Sequence, residues 1–121
     1  DALHSIDPSA GMRIADVKGR YGEVMALCGN VDAAKLLAYG SPEEVSREAR
    51  ACVDEGAPGG GYFLTSSNCI YRAVPVANAL ALADTGREYG RYRPADRPIP
   101  QSWSPQPTKA SARWWIHWPT P

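Results

Sequence analysis

Six polar side chains stand where three short predicted strands end, and their chemistry suits them to bind a small molecule. They are Asp7, Asn30, Asp32, Ser66, Ser67 and Asn68. Carboxylates accept hydrogen bonds, whereas hydroxyl and amide groups both donate and accept them, so such a set can hold a small polar substrate. All six are therefore candidates for the wall of a substrate pocket.

The same residue types also suit local roles in loops. Asp7 can cap a helix or accept hydrogen bonds within a loop, and Asn30 and Asp32 can shape a turn into the following helix. Residue type alone leaves both interpretations open at these positions. For His4 we expect packing or a hydrogen bond, and no role as a ligand.

Strand and helix signals alternate along the chain. The run at 24–28 is typical of a strand buried on both faces of a parallel sheet, and two other strands begin near residues 2 and 62. Helical patterns cover 14–21, 33–39, 42–55 and 76–89, and Ser41 with Glu44 predicts a capping box at the start of the third. Ligands meet parallel sheets at the carboxyl ends of the strands, so the six candidate residues fall at the expected edge.

This alternation predicts an α/β fold with a parallel sheet. Strands starting near residues 2, 24 and 62 are spaced roughly as in a (β/α)8 barrel, which uses about 30 residues per unit, and this favours a barrel over a doubly wound sheet. Eight units need about 250 residues, so a chain of 121 residues is expected to form only part of a barrel. The chain starts without Met and within a strand, so we also expect a longer parent protein.

The charge balance excludes several classes of partner. Thirteen basic residues face thirteen acidic ones, without the positive excess that binding to nucleic acid or an anionic membrane surface needs. With no long apolar run and no signal peptide pattern, the protein is expected to be cytoplasmic and not to bind membranes. Three widely spaced cysteines indicate neither a disulfide framework nor a zinc site, and Cys52 is expected in the core.

The composition changes after residue 92. Residues 93–121 contain seven of the eleven prolines and all four tryptophans, and show no helical or strand periodicity. The sequence therefore predicts a folded part over 1–92 and an irregular, disordered tail over 93–121.

Four segments resemble the C-terminal portion of the uroporphyrinogen decarboxylase family, which also includes cobalamin-linked methyltransferases. They are Ser5-Ile6-Asp7, Gly29-Asn30-Val31-Asp32, Gly59-Gly60-Gly61-Tyr62 and Arg87-Glu88-Tyr89-Gly90. The resemblance covers residues 1–92 and implies the last three units of a (β/α)8 barrel. It also implies decarboxylation of the acetate side chains of a tetrapyrrole, uroporphyrinogen, with no cofactor. The family's catalytic aspartate and substrate-binding arginines lie in its N-terminal part and have no counterpart in this chain.

One position with a known chemical role in the family does fall within this chain. The residue aligned with Asn68 is His in the decarboxylases and a zinc-binding Cys in the methyltransferases. An amide neither transfers a proton near neutral pH nor binds zinc well. Two further hypotheses remain open: methyl transfer to a corrinoid carrier with zinc, and a catalytically silent, truncated product that self-associates through open sheet edges.

Overall fold

A three-stranded parallel sheet forms the centre of the fold. The computed structural model describes residues 1–91, and the predicted tail at 93–121 lies outside the described residues. The strands are β1 (Ala2–Leu3), β2 (Ala26–Val31) and β3 (Tyr62–Ser66), and they lie side by side in the order β1-β2-β3. Both neighbouring pairs are parallel. The predicted α/β organisation with a parallel sheet is therefore confirmed.

Helices follow each strand. They are α1 (Ile14–Tyr21), α2 (Leu36–Tyr39), α3 (Pro42–Gly56) and α4 (Val76–Tyr89), with a 3-10 helix at Pro8–Ala10. The start of α3 is the predicted capping box, since the Ser41 hydroxyl accepts from the Glu44 N–H at 3.3 Å and the Glu44 carboxylate accepts from the Ser41 N–H at 2.8 Å. Within residues 1–91, no helix is long and apolar enough to cross a membrane.

Two elements, β2 and α2, have bounds that differ from the prediction. The N–H groups of Val24 and Met25 both donate to the Tyr21 carbonyl, so the chain is still turning there and β2 begins only at Ala26. The strand then continues to Val31, which places Asn30 inside it. The helix predicted at 33–39 is reduced to α2, because its first residues form a turn.

The core lies between the sheet and the helices. Leu27 and Val31 of β2 are fully buried, and they belong to one cluster with Val45 and Cys52 of α3. Helix α3 packs on β2, β3, α1 and α4, so it is the central helix of this layer. Gly56 permits its close approach to β3, because a Cβ there would lie 2.7 Å from the ring of Tyr62.

Part of the other sheet face is open. Cys28 and Phe63 are partners in the β2–β3 register and therefore lie on the same face. Phe63 is 59% exposed and Cys28 is partly exposed. Within residues 1–91, β1 and β3 are the edge strands of this sheet, each paired on one side.

A buried amide joins α4 to the end of α2. The side chain of Asn78 is 2% exposed, and its nitrogen donates to the carbonyl oxygens of Leu37 at 3.0 Å and Gly40 at 2.8 Å. These carbonyls lie at the carboxyl end of α2, where helical partners are missing. Asn78 thus fixes the position of α4, and sequence periodicity does not reveal this role.

Replacing Asn78 with Ala should destabilise the fold by about 1–3 kcal/mol, because the two carbonyls lose their buried donor. Urea unfolding followed by far-UV circular dichroism measures the change. Asn68→Ala is the matched control, since among residues 1–91 this exposed side chain bonds to the adjacent Cys69 N–H alone, and its effect should stay within about 0.5 kcal/mol. Equal effects of the two substitutions would contradict the role of Asn78.

Candidate functional site

The carboxyl ends of β2 and β3 lie side by side. Val31 is the register partner of Ser66, and the Ser67 N–H donates to the Val31 carbonyl at 2.7 Å. Beyond the strands, the Ala33 N–H donates to the Ser67 hydroxyl at 3.2 Å. These bonds bring the loop after β2, with Asp32, against Ser66 at the end of β3 and the loop with Ser67 and Asn68 that follows it.

The three polar residues at the carboxyl end of β3 differ in accessibility. Ser67 is 2% exposed and its hydroxyl is engaged with the loop after β2, so it joins the two strand ends. The Ser66 hydroxyl donates to the Asn68 carbonyl at 2.6 Å. The Asn68 side chain is exposed, and its oxygen accepts from the Cys69 N–H at 2.8 Å, so its amide nitrogen is the accessible donor of this loop.

The carboxylate of Asp32 shapes the turn into α2. One of its oxygens accepts from the N–H groups of Ala34 at 2.8 Å and Lys35 at 2.9 Å. This local role was one of the two interpretations that the sequence left open, and it explains why α2 starts late. The side chain is partly exposed at the same edge as Ser66 and Asn68.

Asp7 lies at the corresponding position after β1. Its carboxylate oxygen accepts from the Ser9 N–H at 2.9 Å and the Ser9 hydroxyl at 2.8 Å, which caps the 3-10 helix. The side chain is partly buried. His4, on the approach to this loop, is exposed and its ring nitrogen lies 2.9 Å from the Ser5 hydroxyl.

Asn30 contacts the helix layer and is not grouped with the other candidates. It is 5% exposed, and its amide nitrogen donates to the Met12 carbonyl at 3.3 Å. Its amide oxygen accepts from the thiol of Cys52 on α3 at 3.4 Å. The structure thus places Asp7, Asp32, Ser66, Ser67 and Asn68 along the carboxyl edge of the sheet, with Asn30 beneath that edge. The pocket role of all six remains a prediction.

The Asn30 and Cys52 pair is a feature that sequence reasoning missed. Burial raises the pKa of the Cys52 thiol to about 11, and the nearby carboxylates of Glu48 and Glu55 add to the effect, while the bond to Asn30 opposes it. The thiol therefore remains protonated near neutral pH and acts as a donor. The helical stripe placed Cys52 in the core, but no sequence signal linked it to a strand 22 residues away.

The geometry defines a broad class first. A parallel sheet with polar strand ends along one edge is typical of α/β proteins that bind ligands at that edge. The particular family comes from comparison: the profile described as Uroporphyrinogen decarboxylase (URO-D) matches residues 2–89. The chain therefore belongs to the uroporphyrinogen decarboxylase family.

Curated relatives carry the same family name. The uroporphyrinogen decarboxylase of Sodalis glossinidius (strain morsitans) is 39% identical over 66 residues, which cover 54% of this chain and 18% of that protein. Those of Actinobacillus succinogenes and Mannheimia succiniciproducens are 29% and 28% identical over 80 residues, covering 66% of this chain and 22% of each protein. The chain spans about a fifth of the length of these relatives. No solved structure matches it significantly.

A zinc site has no fitting set of ligands in the described part of the chain. Among residues 1–91, no three side chains of His, Cys, Asp or Glu are grouped so that they could hold a metal ion. Asn68, at the position where the methyltransferases are expected to carry a ligand, presents an amide.

The raised pKa of Cys52 predicts a loss of stability at alkaline pH. In the unfolded chain the thiol ionises near about pH 8.5, but in the fold it ionises only near pH 11, so its contribution is complete below about pH 8.5 and is lost as the pH rises through 11. Over this pH interval the free energy of unfolding of the wild type should fall by on the order of 2–3 kcal/mol more than that of Cys52→Ser, whose hydroxyl does not titrate there. Urea unfolding at a series of pH values measures both, and parallel profiles would contradict the burial of the thiol.

Proposed function

We propose that this chain forms three neighbouring units of a (β/α)8 barrel that decarboxylates uroporphyrinogen, and that its carboxyl edge supplies part of the substrate pocket. Family membership and the names of the curated relatives support the reaction. The sequential strand order β1-β2-β3, with helices between the strands, is the order a barrel requires. The chain spans about a fifth of the relatives' length, which agrees with its forming part of a barrel.

The observation that carries the proposal is the position of the polar strand ends. In barrel enzymes the active site lies at the carboxyl-terminal face, built from the loops that follow the strands. Asp7, Asp32 and Asn68 lie on such loops along one edge of this sheet, and Ser66 is the last residue of β3 at the same edge. The amino edge instead carries Gly59-Gly60-Gly61, whose middle carbonyl accepts from the Lys18 ammonium at 2.5 Å.

The substrate chemistry assigns different roles to these groups. Uroporphyrinogen presents carboxylate side chains and pyrrole N–H groups. The amide nitrogen of Asn68 can donate to the carboxylates, whereas Asp7 and Asp32 can accept from the pyrrole nitrogens. The Ser66 hydroxyl donates its hydrogen to the Asn68 carbonyl, so towards a substrate it can only accept. Placing Asp7 or Asp32 against a substrate carboxylate would bring like charges together, so we assign the two aspartates to the pyrrole side.

The proton transfer is assigned to another part of the barrel. Decarboxylation of a pyrrole acetate needs a general acid for the ring and a negative group beside the protonated intermediate. Asn68 cannot donate a proton at neutral pH and regain it, so it binds and orients. In this proposal the chain forms pocket wall, and the remaining barrel units supply the general acid.

A chimera tests the proposal. Residues 2–89 replace the matching segment of the Sodalis glossinidius uroporphyrinogen decarboxylase, and carbon dioxide release from uroporphyrinogen is measured. We expect slow turnover with Asn68, which relies on the general acid of the remaining barrel units alone. Asn68→His should raise kcat about 100-fold, because its imidazole adds a second group that can transfer a proton at this edge.

Asn68→Gln is the matched control, since it keeps an amide and should leave kcat unchanged. Circular dichroism and a cooperative melt establish that each chimera is folded. Folded chimeras whose turnover is the same with His, Gln and Asn at position 68 would contradict the placement of this loop in the pocket.

A further inference from the structure

The amide of Asn30 connects three parts of the fold. It belongs to β2, donates to the loop between β1 and α1 through the Met12 carbonyl, and accepts from Cys52 of α3. We infer that Asn30 is a positioning residue, which holds the Asp7 loop (residues 7–13) in place against the end of β2. This positioning role does not depend on the proposed function. Only the identity of the ligand that Asp7 would face rests on it.

The two partners fix the orientation of the amide. A carbonyl can only accept, so the Asn30 nitrogen must face Met12. The oxygen then faces the Cys52 thiol, which is protonated near neutral pH and donates to it. Because the Met12 carbonyl cannot donate, a flipped amide would place two acceptor oxygens against each other and lose that bond. The side chain is therefore held in one orientation at a site that is 5% exposed.

The bond to Met12 determines the position of Asp7. The Met12 N–H donates to the Asp7 carbonyl at 3.2 Å, and the Ala10 N–H donates to the same oxygen at 3.1 Å. The Asp7 carboxylate in turn accepts from Ser9. The Asp7 loop is thus a small hydrogen-bonded unit, and Asn30 is the side chain of β2 that joins it to the strand.

The surroundings of Asn30 indicate that its side chain holds the Asp7 loop in place and does not contact substrate. Both polar ends of the amide are occupied by protein groups. Asn30 lies at the base of a cleft of about 230 Å³ between the Asp7 loop and α3. The charged groups on this cleft are Arg13 from the loop and Glu48 and Glu55 from α3, with Arg13 and Glu55 3.8 Å apart.

Asn30→Asp gives the sharpest test because it preserves the shape of the side chain, replaces the donor by a charged acceptor at neutral pH, and regains a donor when protonated. At pH 7 the carboxylate meets the Met12 carbonyl without a proton between them, so we expect the amides of Ala10, Gly11 and Met12 to lose about tenfold in hydrogen-exchange protection. A protonated carboxyl regains an O–H donor. Protection should therefore return to the wild-type value as the pH is lowered towards about 4, since burial and the two glutamates raise the carboxyl pKa.

The loss and recovery are measured as amide protection factors of the full chain at pH 7 and at pH 4. The factors are corrected for the intrinsic effect of pH on exchange. A packing role alone gives no recovery at low pH, so loss without recovery would overturn the inference, as would unchanged protection at pH 7. Ser66→Ala is the control at the same edge, and it should alter the amide protection of residues 66–69 only.

A second pair of variants applies if Asn30→Asp does not fold. Cys52→Ser keeps a donor for the Asn30 oxygen and should preserve loop protection, whereas Cys52→Ala removes it and should lower protection of the loop several-fold. Equal protection in the two variants would overturn the inference. Because no tetrapyrrole is present, these outcomes are independent of chimera turnover, and failure of the proposed reaction can be told apart from failure of the inference.

Discussion

The carboxyl end of β2 is the point on which the candidate site depends. Three loops are joined to it by hydrogen bonds from a few residues: the Asp7 loop through Asn30, the turn into α2 through Asp32, and the loop after β3 through Val31. In a sheet of three strands the middle strand is the only one with neighbours on both sides. The loops at its carboxyl end are therefore positioned relative to each other through this strand.

The polar groups at this edge serve structure as well as the proposed function. Asp7, Asp32 and Ser67 each accept hydrogen bonds from backbone N–H groups in their own or neighbouring loops. Such bonds fix the loops before a ligand arrives, which reduces the ordering cost of binding. Asn68 differs, because its exposed amide nitrogen extends from a loop that these bonds already hold.

The sequence predicted those elements that local signals determine. The capping box at Ser41 and the helix at 76–89 follow from residue types a few positions apart, and the structure confirms both. The start of β2 and the shortening of α2 depend on turns made by Tyr21 and Asp32, which compete with the helix and strand patterns. The orientation of Asn30 depends on Cys52, a contact between a strand and a helix that no local pattern reveals.

Family membership makes uroporphyrinogen the proposed ligand. The proposed binding side is the carboxyl edge of the sheet, where the polar strand ends lie. Hydrogen exchange of the Sodalis chimera tests binding at this edge most directly. It is measured with and without uroporphyrin, a stable oxidised form of uroporphyrinogen. The account predicts added protection in the loops at 5–9, 32–35 and 66–69, and none at the amino edge around 22–25 and 59–61. Protection at the amino edge, or unchanged exchange throughout residues 2–89, would contradict it.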